Sequence, residues 1–228
     1  MAPIRKGDGT PLEIPGVSEV RSGDGRVFFD AIRDILQPQS DDLQHFSGDT
    51  DHADINDNEP VLTTEPTNLS LKLFGSDGFG FAGSTSGLEF YPETDSTSRL
   101  FYRPEEPNMI AQIYYSHSSD FNSREMGYAV RINTDDNVVE IWEVDDGFDV
   151  IGSESITTSA NETVEIEILH ESNGDINVDV IDTEDDVIGS VTANSSKFLI
   201  DGEFEHEGIG FELNRNSDVT IDWWRLVN

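Results

Sequence analysis

The stretch Gly127–Val144, GYAVRINTDDNVVEIWEV, constrains the fold more than any other part of the chain. Two runs rich in Val, Ile, Tyr and Trp flank Thr134-Asp135-Asp136-Asn137, the pattern of a β-hairpin. Pairing Asn133 with Val138 sets Ile132 against Val139, Arg131 against Glu140 and Val130 against Ile141. A slip of one residue would set Ile132 against Glu140 and mix the two faces. Tyr128, Val130, Ile132, Val139 and Ile141 are therefore expected to face a core. Ala129, Arg131, Glu140 and Trp142 are expected to face outward. A Trp beside an Arg and a Glu on an outer face is either a ligand platform or an aromatic packed under a loop or a neighbouring subunit. Arg131, Glu140 and Trp142 are the candidate ligand-binding residues. In that reading Trp142, Tyr114 and Tyr115 stack on sugar rings, and Arg131 and Glu140 supply hydrogen bonds.

From Leu43 onward the apolar residues recur with a period of two. Candidate strands are 43–46, 61–63, 69–74, 79–81, 88–91, 99–103 and 109–115, and, after the central hairpin, 163–169, 176–181, 187–191, 198–200, 209–213 and 219–227. In 162–169, Val164, Ile166 and Ile168 alternate with Glu165 and Glu167, so one face is core and the other is water. Asn173-Gly174 is the strongest short hairpin signal in the chain. Trp223 and Trp224 must point opposite ways, and Val219, Ile221 and Trp223 share a parity. Many short antiparallel strands with frequent turns predict an all-β, two-sheet antiparallel sandwich.

The charge balance limits the partners. Lys and Arg number 13 against 47 Asp and Glu, a net charge of −34. Such a chain repels itself in dilute buffer, whereas at molar salt the Debye length falls to about 3 Å and the repulsion is screened. Disorder is the other reading of high charge, but the regular alternation argues against it. The composition fits adaptation to very high salt. No basic patch offsets the negative field, so nucleic acid is not an expected partner. There is no Cys, hence no disulfide and no thiolate metal site. The first sixteen residues lack an apolar signal core and no run approaches a membrane span. The expectation is a chain made in the cytoplasm with no membrane partner.

Residues 1–29 differ from the rest. Ile4–Ile14 and Glu19–Phe29 echo one another, each with Gly-Asp-Gly between short apolar runs. Two small hairpins cannot bury a core alone, so they either dock on a partner surface, a neighbouring copy or a different protein, or form a loose tail. Phe29–Leu36 places Ile32, Ile35 and Leu36 on one helical stripe, which predicts two turns of helix ended by Pro38. The expected organisation is a docking and oligomerisation segment (1–36), a polar linker (37–42) and a β domain (43–228).

GYAVRINTDDNVVEIWEVDDG, the Glu-Val/Ile strand, INVDVID, GIGFEL and VTIDWW follow one another in an order that resembles concanavalin A-like jelly rolls of the laminin-G and glucanase type, over residues 43–228. The opening RKGDGTPLEIPGVSEVRSGDGRVFFDAI resembles the start of structural proteins from tailed viruses of halophilic archaea. The resemblance implies a jelly roll displayed on a virion surface as a turret, tail fibre or baseplate protein. It also implies docking to other virion proteins through the N-terminal segment, assembly with copies of itself as a trimer or pentamer, and contact with host cell-surface glycan. A free-standing glycan-binding module, or a glycosidase, is the alternative.

Glycosidases of this fold carry E-x-D-x-x-E, or a form one residue longer, on their catalytic strand. Glu165, Glu167 and Glu171 give E-x-E-x-x-x-E, with Glu at the middle position, and acidic outer faces are general in this chain. No catalytic residue is assigned and no enzymatic activity is expected. Asp54, Asn56, Asn58 and Glu65 occupy positions 1, 3, 5 and 12 of a calcium-type loop, but Glu59 stands where Gly belongs. Related jelly rolls hold a structural calcium near the first and last strands, which makes Asp222 a further candidate. Structural calcium, or a solvated acidic loop, is the reading of these residues.

Overall fold

The computed structural model describes residues 19–21, 27–30, 33–36, 46–48, 53–56, 59–63, 69–73, 91–104, 110–118, 126–157, 162–213 and 218–227. Its strands are β1 (Glu19–Arg21), β2 (Val27–Asp30), β3 (Arg33–Leu36), β4 (Phe46–Gly48), β5 (Ala53–Asn56), β6 (Glu59–Thr63), β7 (Leu69–Leu73), β8 (Thr97–Pro104), β9 (Ile110–His117) and β10 (Gly127–Asn133). They continue with β11 (Val138–Val144), β12 (Phe148–Ser155), β13 (Val164–His170), β14 (Asp175–Ile181), β15 (Val187–Asn194), β16 (Leu199–Ile200), β17 (Glu203–Phe204), β18 (Gly208–Leu213) and β19 (Asp218–Val227). No helix occurs among the described residues. One sheet runs β12-β11-β10-β9-β18-β7-β4 and the other β15-β14-β13-β8-β19-β6-β5, with β3 also paired to β19. Both are antiparallel, and they form a two-sheet jelly-roll sandwich.

The core sits between the sheets. Ile113, Val130, Ile141 and Phe211 from one sheet meet Leu100, Ile166, Val178, Ile221 and Trp224 from the other. Phe211 and Trp224 bridge them edge to face, with ring centroids 5.6 Å apart. Each such side chain contributes about 2–3 kcal/mol by leaving water.

The central hairpin forms in the expected register, from Asn133↔Val138 through Arg131↔Glu140 to Ala129↔Trp142. Asn133 sets its turn. The Oδ1 of Asn133 accepts from the backbone N–H groups of Asp135 (3.0 Å) and Asp136 (3.1 Å), and Asn137 takes the left-handed conformation that Asn tolerates. Tyr128, Val130, Ile132, Val139 and Ile141 all lie in the core. The Asn173-Gly174 hairpin also forms, joining β13 to β14, with Gly174 at φ +94°.

Two expectations are corrected and one strand is added. No helix forms at the described positions of 29–36: Phe29 and Asp30 end β2, and 33–36 form β3, pairing with β19 at Trp224↔Leu36 and Leu226↔Arg33. Ile35 is buried against the sandwich core, and that tertiary burial overrides a helical spacing only two turns long. The parity of β19 also changes midway. Ile221 pairs with Tyr102 but Trp224 pairs with Leu100, so one extra residue is accommodated between them. Val219, Ile221, Trp224 and Leu226 face inward, while Trp223 lies outside against Phe101 and Arg225. Finally, Phe148–Ser155 is a strand although its sequence shows no alternation. It is the sheet edge, and most of its positions are exposed.

Of the two Gly-Asp-Gly echoes, the second corresponds to the β1–β2 pair, with Glu19↔Asp30 and Val20↔Phe29. The first, and the expected strand at 79–81, lie outside the described residues.

Candidate ligand-binding face

Antiparallel register brings Glu140 of β11, Arg131 of β10, Gln112 of β9 and Glu212 of β18 into one row across the outer face of the seven-stranded sheet. The adjacent row is Trp142, Ala129, Tyr114 and Gly210. Two small residues thus flank Tyr114, which leaves room for its ring to lie along the sheet.

The three residues expected to act together are held together. Glu140 Oε2 accepts from Arg131 Nη1 at 3.0 Å and from Trp142 Nε1 at 2.9 Å. The Arg131 guanidinium lies 4.8 Å from the Trp142 ring centroid, close enough for a cation–π contact. One carboxylate therefore fixes both the guanidinium plane and the indole edge. The ring is not the outermost surface, however. Trp142 is only 9% exposed and packs with Tyr114, Ala129 and Val144, and Phe148 of β12 lies against it at 5.0 Å. Phe148 is 55% exposed and Val150, paired with Trp142, is 49% exposed. The solvent-facing aromatic here is Phe148, which the sequence reading missed along with its strand.

Tyr114 repeats the same construction. Its hydroxyl donates to Glu212 Oε2 at 2.8 Å, and burial followed by the Glu212 charge holds it well above the usual phenol range. Between these two carboxylate-held aromatics, Gln112 is 3% exposed and its Oε1 is buried with no hydrogen-bond partner. Gln112 and Glu212 were not legible because β9 and β18 are far apart in sequence. Tyr115 is corrected. It faces inward, stacks on Tyr128 at 5.9 Å and donates to His170 Nδ1 at 3.1 Å, so it cannot meet an outer ligand.

The acidic strand β13 is engaged otherwise. Arg99 of β8 pairs with Glu165 at 3.2 Å and with Glu167 at 2.5 Å. Burial raises the Glu165 pKa, while Arg99 pulls it back down. Both carboxylates sit on the outer face of the eight-stranded sheet, and Glu171 falls beyond the strand end.

Asp54 and Asn56 lie in β5, whose backbone pairs with β6 through Asn56↔Glu59 and Asp54↔Val61. Asn58 and Glu65 lie outside the described residues. Asp222 sits in β19, its pKa raised by burial and lowered by Arg225 and Arg103. Among the described residues no group of three or more His, Cys, Asp or Glu is placed to hold a metal.

No protein-family model matches the chain, and no curated protein matches it. Solved structures do. The chain is similar to the carbohydrate binding module CBM66 from Bacillus subtilis, with 9% identity and a TM-score of 0.55 over 81% of this chain and 96% of that one. It is similar to a Bacillus licheniformis β-glucanase, with 9% identity and a TM-score of 0.55 over 86% and 98%. A Bacillus subtilis protein of unknown function with a galectin-like fold gives 7% identity and a TM-score of 0.56 over 86% and 97%. At such identities the likeness shows the fold, a concanavalin A- and galectin-like jelly roll. A binding module and a glucanase share it, so the fold alone does not decide between binding and catalysis.

Proposed function

We propose that this chain is a carbohydrate-binding module whose ligand lies on the outer face of the seven-stranded sheet. The observation that carries this is the cluster in which Glu140 holds both Arg131 and Trp142, beside an exposed Phe148. An aromatic ring next to fixed hydrogen-bonding groups is the chemistry that recognises a sugar, with its apolar face and its hydroxyl rim. Binding is favoured over hydrolysis because Glu165 and Glu167 are both committed to Arg99. The wider part of the proposal is display on the virion of a haloarchaeal tailed virus, docked through residues 1–36 and contacting host-surface glycan. The resemblance of the opening residues and the net charge of −34 support it.

A second reading is a contact between copies of the chain, favoured by the exposed Phe148 and Val150 on an edge strand. Phe148→Ala separates the two. As a sugar platform it weakens retention on host-surface glycan by about 1–2 kcal/mol, the scale of one aromatic contact, and leaves the mass in high salt unchanged. Unchanged retention together with a smaller assembly in high salt would replace the glycan reading with the contact reading.

A further inference from the structure

A cavity of about 540 Å³ opens between residues 91–94 and 203–207, and it shares no lining residue with the Trp142 face. Its walls are pinned. Thr94 Oγ1 donates to Gly202 O at 2.7 Å, Asp95 N–H to His170 O at 3.0 Å, and Asp95 Oδ1 accepts from Ser172 N–H at 2.8 Å. On the other side Ser116 Oγ donates to His206 O at 3.0 Å, and Glu205 N–H to Phe198 O at 2.9 Å. Phe204, on the inner side, packs edge to face on His170 at 5.2 Å and on Tyr115 at 5.8 Å. The space is therefore built into the fold, and its volume lies within the range of small-molecule sites.

The lining points to one class of ligand. Glu93, Glu203 and Glu207 contribute carboxylates, and among the described residues no Lys or Arg lines the cavity. The Glu207 charge is felt inside, because it adds to burial in raising the Tyr91 pKa, and Tyr91 stays neutral. Burial lowers the His206 pKa, so that imidazole is also neutral near pH 7, and its Nε2 is buried without a hydrogen-bond partner. An anion is repelled here. A cation with N–H groups finds carboxylate acceptors and two aromatic faces, Tyr91 and Phe204.

We propose that this cavity is a binding site for a small organic cation bearing N–H donors, a primary ammonium or a guanidinium group. The donors engage Glu203 and Glu207, and the charge lies against Tyr91 and Phe204.

Titration calorimetry of the full chain at constant high salt tests it, with agmatine as the cationic probe and butylurea as the neutral one. Agmatine should saturate a single site and butylurea should not. Glu207→Gln should weaken agmatine by about tenfold, the scale of one charge-assisted hydrogen bond. Glu154→Gln removes the same charge from the exposed edge strand and should leave the affinity unchanged. If Glu207→Gln does not fold, judged by circular dichroism, Glu203→Gln takes its place with the same expectation. Absence of saturation, butylurea binding as tightly as agmatine, or an equal loss for Glu154→Gln would each overturn the proposal, the last by revealing a general ion atmosphere.

Discussion

Strands β9 and β13 are interior members of the two sheets, yet they meet opposite environments. All eight positions of β9 are buried, whereas β13 alternates between buried and half-buried along its length. The outward residues of β13 include Glu165 and Glu167, which share Arg99 at the edge of water. The outward residues of β9 include Gln112 and Tyr114, which are closed over. Parity decides which face a side chain takes. It does not decide whether that face is wet. On a strand dry on both sides an outward polar group has only the protein to turn to: Tyr114 finds Glu212, whereas Gln112 Oε1 is left without a partner.

The largest expected effect tests whether the outer side of β9 is a second packed layer. Tyr114→Ala should cost about 3–5 kcal/mol in denaturant unfolding, as an aromatic truncated inside a core does. A loss below about 1 kcal/mol would show that this face behaves as surface and would erase the contrast with β13.

Next comes the point where the two strands touch. Tyr115 of β9 donates to His170 Nδ1, and His170 Nε2 donates to Ser195 O at 2.9 Å, which fixes the neutral tautomer. Burial is the main cause that pushes the His170 pKa from 6.5 down to about 4, against the opposing hydrogen bond to Ser195. The unfolded chain then takes the proton first. The contribution is complete above about pH 6.5 and is lost as the pH falls toward 4, on the order of 3 kcal/mol in all. Stability measured across that window should fall more steeply for the wild type than for His170→Gln, and parallel curves would count against a buried neutral imidazole.

The smallest effect belongs to the wet face. Arg99→Ala should change stability by less than about 1 kcal/mol, because its guanidinium is 41% exposed and its ion pairs are screened. A loss comparable to that of Tyr114→Ala would mean that the two faces are alike after all.

The same contrast explains what could be read from the chain. The hairpin register was legible because pairing a run with its neighbour across a four-residue turn involves one local decision, and the core parity of Tyr128 and Ile141 follows from it. The Arg131–Glu140–Trp142 grouping was legible for the same reason. Gln112 and Glu212 were not, because the register between β9 and β18 is set by packing and not by a turn. Phe148 was hidden on an edge strand that has no inner and outer alternation to betray it. Ile32, Ile35 and Leu36 offered a helical stripe too short to compete with the open edge of β19.

The irregularity in β19 has a consequence for changes of chain length. Between Ile221 and Trp224 the strand carries one residue more than β8 opposes. Removing a residue from a regular strand turns everything after it inside out. Removing Asp222 would instead restore simple alternation, with Val219, Ile221, Trp224 and Leu226 still inward and Trp223 and Arg225 still outward. The last strand thus holds a spare residue, and a relative one residue shorter at this point would keep the same inward set.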